Sequence, residues 1–387
     1  MDIIADYCIF GGGMIGGAMA IGLSELGYKV AVIEARQPEP FNVDSLPDLR
    51  VSALNRFTQR LLQRYNVWDK VLAMRCQQYQ RLSVWENAAS PLHFEASQIG
   101  ENYLGYFVEN RILQLALLET IEGEHADNIQ VVYARAVDIN ASNGCIALDN
   151  GSHIHANILI GADGGNSQLR EEANIGITGW QYEQRANVLL VKMMSEFESA
   201  TWQQFTPQGP IAFLPLFDGY ANLVWYADSA TSQHIRNTSI QEIKKDILAR
   251  FPPSLGEFEV VDKTAFPLRR MHANRYSRNN VVLIGDAAHQ INPLAGQGVN
   301  LGFKDVAALV ESIKNNPITE SNHEALLDYE NKRRTPNLLM MSAMDVFYQT
   351  FSNDVAPLKL LRNLGVRVAN KAGPIKNKAL KYAMGIE

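Results

Sequence analysis

The sequence is poor in cysteine. Cys8, Cys76 and Cys145 are the three found among 387 residues, and no two form a Cys-x-x-Cys pair. An odd count without a signal-peptide pattern points to free thiols in a reducing cytoplasm. Cys8 lies in an apolar run and reads as a small core residue. Long hydrophobic runs are lacking too, and no uninterrupted apolar stretch is long enough to span a bilayer. Positive charge is not in excess. The formal net charge is -6, which argues against a nucleic-acid partner. Repeats and low-complexity segments are absent, and no metal site is expected.

What is present is a globular composition, 47% hydrophobic and 20% charged, on a chain long enough for two interlocked domains. Asp6 to Phe10 reads as a strand, GGGMIGGAMAIGLSELG as a helix stopping at Gly27, and KVAVIEAR as a second strand ending near Glu34. Residues 37 to 50 read as loop and 110 to 123 as helix. The short strands that follow are joined by hairpin turns at Asn143-Gly144 and Asn150-Gly151. Residues 180 to 275 change character. Aromatics and alternation predict a mostly antiparallel sheet with one helix near 239 to 250. NNVVLIGD then reads as a buried strand, GVNLGFKDVAALVESI as a helix, and 321 to 387 as helices. The fold class is therefore α/β, α+β overall. A Rossmann-like βαβ domain (1–72, 107–178, 278–320) is interleaved with an antiparallel-sheet domain (73–106, 179–277) and followed by a helical region (321–387). From Ala356 onward seven basic residues face one acid, so the tail carries about +6 and the remainder about -12.

Three motifs carry chemistry. Gly11-x-Gly13-x-x-Gly16 follows a strand and opens a helix. Gly11 permits the tight turn, Gly13 lets a pyrophosphate approach, Gly16 lets helix and strand pack, and the helix N-terminus faces the negative charge. Glu34, ending the next strand, can accept hydrogen bonds from a ribose diol. The pattern does not separate NAD from FAD. The second motif runs from Gly161 through Asp163 and Gly164 to Arg170. It reads equally as a plain turn before an N-capped helix or as a device placing Asp163 beside a dinucleotide. The third is GDAAHQINPLAGQGVNLG, from Gly285. Asp286 can reach a polyol hydroxyl, Pro293 fixes the loop, and Gly296, Gln297 and Gly298 let backbone approach a flat ligand ahead of a helix start at Val299. Capping of a turn by Asp286 alone does not explain the cluster of Pro, Gly and Asn300.

In this order and spacing the motifs resemble those of the single-component FAD-dependent aromatic hydroxylases. PDLRVSALN, VENRILQLAL, WQQFTPQGPIAFLPLF and the tail LRNLGVRVANKAG are similar to the ubiquinone-biosynthesis members, nearest to the one acting late. The resemblance implies that one FAD stretches from the first glycine turn to the third. It carries FAD contacts onto Gly11, Gly13, Met14, Ile15, Gly16, Glu34, Ala35, Arg36, Arg50, Asn110, Val137, Asp163, Gly164, Gly285, Asp286, Pro293, Gly296, Gln297, Gly298, Val299 and Asn300. It implies NAD(P)H as electron donor, binding transiently because a second Gly-x-Gly-x-x-Gly is missing, and hydroxylation of a polyprenyl benzoquinol ring with O2 through a flavin C4a-hydroperoxide. An electron-rich hydroquinone demands no obligatory base. His289 is the tempting candidate, weighed against a structural place in its loop. Trp202, Phe205, Phe213, Phe217, Trp225 and Tyr226 are candidates to line an aromatic pocket, weighed against core. The basic tail could pack on the protein, dock to the inner membrane as a peripheral contact, or meet quinone-biosynthesis proteins. Rival readings are a polyprenyl or quinone reductase and a non-catalytic module binding a prenylated partner. A flavin halogenase is disfavoured without Trp-x-Trp-x-Ile, and a plain NAD dehydrogenase leaves the third motif idle.

Overall fold

A run of β-branched and apolar residues, DYCIF, pairs in parallel with VAVIE and ANILIG because all three are covered on both faces. In the computed structural model the strand Asp2–Phe10 is the centre of this sheet. The structure describes residues 2–86, 91–292, 297–318, 323–351, 377, 378, 380, 381 and 384–386. Parallel neighbours run in the order Val281–Leu283, His153–Gly161, Asp2–Phe10, Val30–Glu34, Ile129–Tyr133. The two Asn-Gly turns close antiparallel hairpins: Ala136–Asn140 pairs with Cys145–Leu148, which pairs with His153–His155.

The helix Met14–Glu25 lies on this sheet and is apolar nearly all round, with every residue from Gly16 to Ser24 buried. Its glycines are explained by what covers it. A Cβ at Gly22 would stand 2.6 Å from both Tyr65 Oη and Val310 Cγ2, and one at Gly17 would stand 3.3 Å from Leu117 Cβ. The covering helices are Gln297–Asn315 and Asn110–Glu124. A small sheet of Val51–Asn55, Gly105–Glu109 and Gln77–Tyr79 stands beside them. Its loop, 37–50, is pinned by a buried ion pair. Arg75 Nε donates to Glu109 Oε1 at 2.7 Å, Arg75 also donates to Ser45 and Leu46 carbonyls, and Asp48 N–H donates to Glu109 Oε2.

The second large sheet is antiparallel except where Arg81–Trp85 runs parallel to Ala200–Gln204. Alternation sorts its side chains onto two faces. Leu189, Val191, Ile211, Phe213, Leu223 and Trp225 meet Ile235, Ile243, Ile247 and Phe251 in one core. Ile235, Ile243 and Ile247 come from two helices, Ser229–Asn237 and Ile240–Arg250, and Phe251 directly follows the second, where the sequence predicts one helix. The first was hidden because its apolar content is a single buried position, Ile235; Asp228 caps it through Thr231 N–H, and buried Asn187 holds Ser232 Oγ at 3.0 Å. The opposite face carries Ala186, Val224, Tyr226, Phe205 and Leu268.

The helix Glu324–Phe351 reaches both sheets. On one side Tyr329 Oη donates to Leu283 O of the parallel sheet, and on the other Asp345 pairs with Arg270 and accepts from Tyr182 of the antiparallel sheet. Lys359, Arg362, Arg367, Lys371 and Lys376 of the basic tail lie outside the described residues. At the far end Leu380 and Met384 are buried against Ala96 and Leu104, and Asn377 donates to Gln98 O. Among the described residues no helix is long and apolar enough to cross a membrane.

Candidate active site

Four strands deliver their carboxyl ends to one edge: Phe10 leads to Gly11, Glu34 to Arg36, Gly161 to Asp163 and Leu283 to Gly285. Val30–Glu34 flanks the central strand on one side and His153–Gly161 on the other. This reversal opens a crevice between the Gly11 and Asp163 loops, the place where open parallel sheets bind ligands.

The glycines there have separate reasons. Gly11 is left-handed at φ +95°, and a Cβ would stand 2.6 Å from Ala162 O. At Gly16 a Cβ would stand 1.8 Å from Gly11 O. Both keep the loop and helix close to neighbouring backbone. At Gly13, by contrast, a Cβ meets no heavy atom within 4 Å. Packing does not require glycine there, whereas close approach of a ligand to the bare helix start does; no side chain caps that N-terminus. Glu34 staples the loop: Oε2 accepts Gly12 N–H at 2.9 Å and Oε1 accepts Arg36 N–H at 3.1 Å. Ile15 inserts between Gly285 and Gly302, whose Cβ positions lie 3.3 and 2.8 Å from it. Its side chain therefore joins the first motif to the third instead of facing a ligand.

Asp163 caps the helix Gln168–Glu172 through Oδ2, which accepts Gln168 N–H at 2.8 Å and Leu169 N–H at 3.3 Å. The bland capping role is real. Its other oxygen, Oδ1, is buried with no hydrogen-bond partner among the described residues. Burial raises this carboxyl, against the hydrogen bonds from Ser167 and nearby amides. A buried acceptor left open at the crevice is what a ligand hydroxyl would complete.

Asp286 is exposed to solvent yet crowded by protein. Burial raises its carboxyl, opposed by Gln290, His289 and Arg50. Gln290 Nε2 donates to Asp286 Oδ2 at 3.2 Å, and its amide lies where a Cβ at Gly165 would be, 2.3 Å away. Arg50 is exposed and lies 4.7 Å over the Phe266 ring. Asn110 accepts from Ser52 Oγ at 2.7 Å, and its N–H donates to Arg50 O. Val137 is 61% exposed, at a register shift beside Leu148. Gly298 and Val299 lie in the first turn of Gln297–Asn315. Ala35 and Gly164 stand in the loops after Glu34 and Gly161. Pro293, Gly296 and the side chain of Gln297 lie outside the described residues.

Two readings that the sequence left open, His289 and the aromatics, are decided by the structure, and one expectation, Asn300, is corrected. His289 is buried, and its Nε2 is committed to Asp305 Oδ2, so it is a structural member of its loop and not a free base. Asn300 turns its side-chain amide onto protein. Oδ1 accepts Asn55 N–H and Thr58 Oγ1–H, and Nδ2 donates to Ala53 O. Trp202, Phe213 and Trp225 stack in the core beneath the two helices, with Phe251 against both tryptophans. They face away from the crevice. Phe205 and Tyr226 lie on the opposite face, and Tyr226 Oη donates to Asn292 Oδ1 at 3.3 Å, next to the third motif. Phe217 lies 4.3 Å from Arg75, by Leu49 and Val51.

Sequence reasoning gave no role to Arg170, Gln290, Gly302 or Asp305. Arg170 is buried and ties the second motif to the third, donating to Gly165 O and Ala287 O, both at 2.9 Å. Asp305 had a readable signal: it stands four residues from Leu301 and Leu309, on the buried side of its helix, where an acid needs partners.

A family model described as an FAD binding domain matches residues 5–341. The chain is 42% identical to 3-demethoxyubiquinol 3-hydroxylase of Escherichia coli, covering 98% of each chain. It is 34% identical to a mitochondrial ubiquinone biosynthesis monooxygenase of Xenopus tropicalis (98% and 93% covered) and 34% identical to a ubiquinone hydroxylase of Rhodospirillum rubrum (99% and 90%). Among solved structures, p-nitrophenol 4-monooxygenase from Pseudomonas putida shares the fold with a TM-score of 0.81 at 18% identity, covering 99% of each chain. Glycine turns, an open Asp163 oxygen and these relatives agree: the chain belongs to the FAD-binding-domain family, among the FAD-dependent monooxygenases of ubiquinone biosynthesis.

Proposed function

We propose that the protein hydroxylates the ring of a polyprenyl benzoquinol, with FAD lying across the carboxyl edge of the parallel sheet. The observation that carries this is a pair of features on the Gly11 and Asp163 loops: Asp163 Oδ1, buried without a partner among the described residues, and Gly13, whose Cβ position no described heavy atom approaches within 4 Å. FAD, when bound, supplies hydride acceptance from NAD(P)H and activation of O2.

The chain's own residues bind, orient and exclude water. Amides from Gly13 to Ile15 receive the pyrophosphate on a helix N-terminus, and Glu34 holds the loop that meets the ribose. Asp163 and Asp286 accept from sugar and polyol hydroxyls, with Arg50 supplying positive charge nearby. Amides at Gly298 and Val299 offer positive potential to the flavin head. The quinol ring lies against the sheet face of Val224 and Tyr226, whose apolar surface keeps water out. No side chain is assigned as base: His289 is locked, and a quinol is already electron-rich. Domain boundaries follow the interleaving given above, except that Gln77–Tyr79 and Gly105–Glu109 pair with each other in the small sheet beside Val51–Asn55; Arg81–Trp85, Leu92–Glu95 and residues 179–277 form the substrate side.

The basic tail is read as attachment to an anionic membrane surface where prenyl quinols reside. Because Leu380 and Met384 are packed core residues, deletion of the tail confounds charge with folding; reversing Lys359, Arg362 and Arg367 tests charge alone. Loss of sedimentation with anionic liposomes supports attachment, and unchanged sedimentation opposes it. The main reading is tested by supplying a prenylated benzoquinol with NAD(P)H and ¹⁸O2. One labelled oxygen on the ring is expected. NAD(P)H oxidation without ring label would point to the reductase instead.

A further inference from the structure

Asp305 has 0% exposure and lies eight residues into the helix Gln297–Asn315. Four donors converge on it. Gly285 N–H, at 3.1 Å, and His289 Nε2 reach Oδ2; Arg333 Nε, at 2.8 Å, and Asn337 Nδ2, at 3.0 Å, reach Oδ1. Two come from the turn that presents Asp286, and two from the helix Glu324–Phe351. Asn337 also accepts from Arg333 at 2.6 Å and donates to Tyr276 Oη at 3.2 Å, which meets His272 Nε2 at 3.1 Å. Twelve residues beyond Arg333 on the same helix, about 18 Å at the α-helical rise, Asp345 binds Arg270 and Tyr182 of the antiparallel sheet. One helix thus grips both the third motif and the substrate sheet through buried carboxylate–guanidinium pairs.

The turn needs such an anchor. Gly285 is left-handed at φ +57°, and its N–H is the fixed point from which the next residue, Asp286, projects. A buried amide of this kind has one position only while its acceptor stays in place. Asp305 is a negative charge in a buried site, balanced by Arg333, so removing either partner changes both the geometry of the turn and the local potential.

We propose that Asp305 is a positioning residue: anchored by Arg333 and Asn337, it sets where the Asp286 turn stands, and so sets the affinity and reduction potential of the bound flavin from outside the flavin-contacting motifs. The proposal rests on the reading that the 285–286 turn holds FAD. It is tested by titrating FAD into apo-protein, by the midpoint potential of the reconstituted protein, and by thermal unfolding of the apo-protein. Asp305→Asn should raise the FAD dissociation constant tenfold or more and move the potential positive. Arg333→Met should move it negative. The double variant, with balanced charge, should return the potential towards wild type while affinity stays weak. If Asp305→Asn does not fold, Asn337→Leu removes one donor and should weaken FAD about threefold. Variants that lose thermal stability but keep wild-type FAD affinity and potential would overturn the proposal. Asp286→Asn separates the two levels. If it leaves FAD affinity unchanged, the reading of the turn itself fails. If it weakens FAD while Asp305→Asn does not, only the role of Asp305 fails.

Discussion

The carboxyl edge of the parallel sheet and the antiparallel sheet opposite it are specified in different ways. At the edge, single residues have single reasons: Gly16 exists because Gly11 O is 1.8 Å from where its Cβ would be, and Asp163 leaves one oxygen open. In the antiparallel sheet the unit of meaning is the face. Trp225 and Val224 are neighbours in sequence, yet one is sealed under helices and the other turns to the crevice side. The edge tolerates little substitution, and the sheet tolerates or rejects it according to parity.

The comparison can be broken most severely at Gly16. Gly16→Val forces a side chain into backbone, and we expect loss of soluble, folded protein, read as yield and as FAD retention on purification. Next comes the parity test. Trp225→Ala should cost about 3–5 kcal/mol in denaturant unfolding with the quinol KM unchanged. Val224→Trp should leave stability nearly intact but raise that KM about tenfold. Reversed results would assign the faces wrongly. A smaller effect is expected from pH. Burial, then the charges of Arg334 and His289, holds buried His272 down at about 4. The unfolded chain takes that proton first, so stability is full above pH 6.5 and falls by roughly 3 kcal/mol as pH drops to about 4. Burial works to raise Asp305, but His289 and Arg333 outweigh it and hold it at about 2. Its contribution is present above about pH 4 and is lost on further acidification towards pH 2. Urea midpoints across pH 7 to 4 should be flatter in His272→Gln. The smallest change is Ser239→Ala. It removes the cap on Glu242 N–H and should cost about 1 kcal/mol without touching flavin binding.

Much of the edge was legible because its motifs are local. The glycine spacing, Asp163 and Asp286 each follow a readable strand, and four such strands end together. The sheet was legible as a sheet but not as faces. Counting aromatics selects Trp202, Phe213 and Trp225, whereas following alternation from Val224 and Tyr226 selects the other side. His289 could not be judged without Asp305, sixteen residues away on the next helix, nor Asn300 without Asn55 and Ala53 far earlier in the chain. Partners distant in sequence decide whether a polar side chain is free, and a motif does not carry that information.

The central claim is that one FAD spans the edge from the Gly13 helix start to the turn at Gly285. A crystal structure of the FAD-bound protein tests it most directly. The account predicts pyrophosphate density at the amides following Gly13, a hydroxyl within hydrogen-bond distance of Asp163 Oδ1, and the flavin head beside Gly298. Flavin density elsewhere, with Asp163 Oδ1 still unpaired, would contradict it.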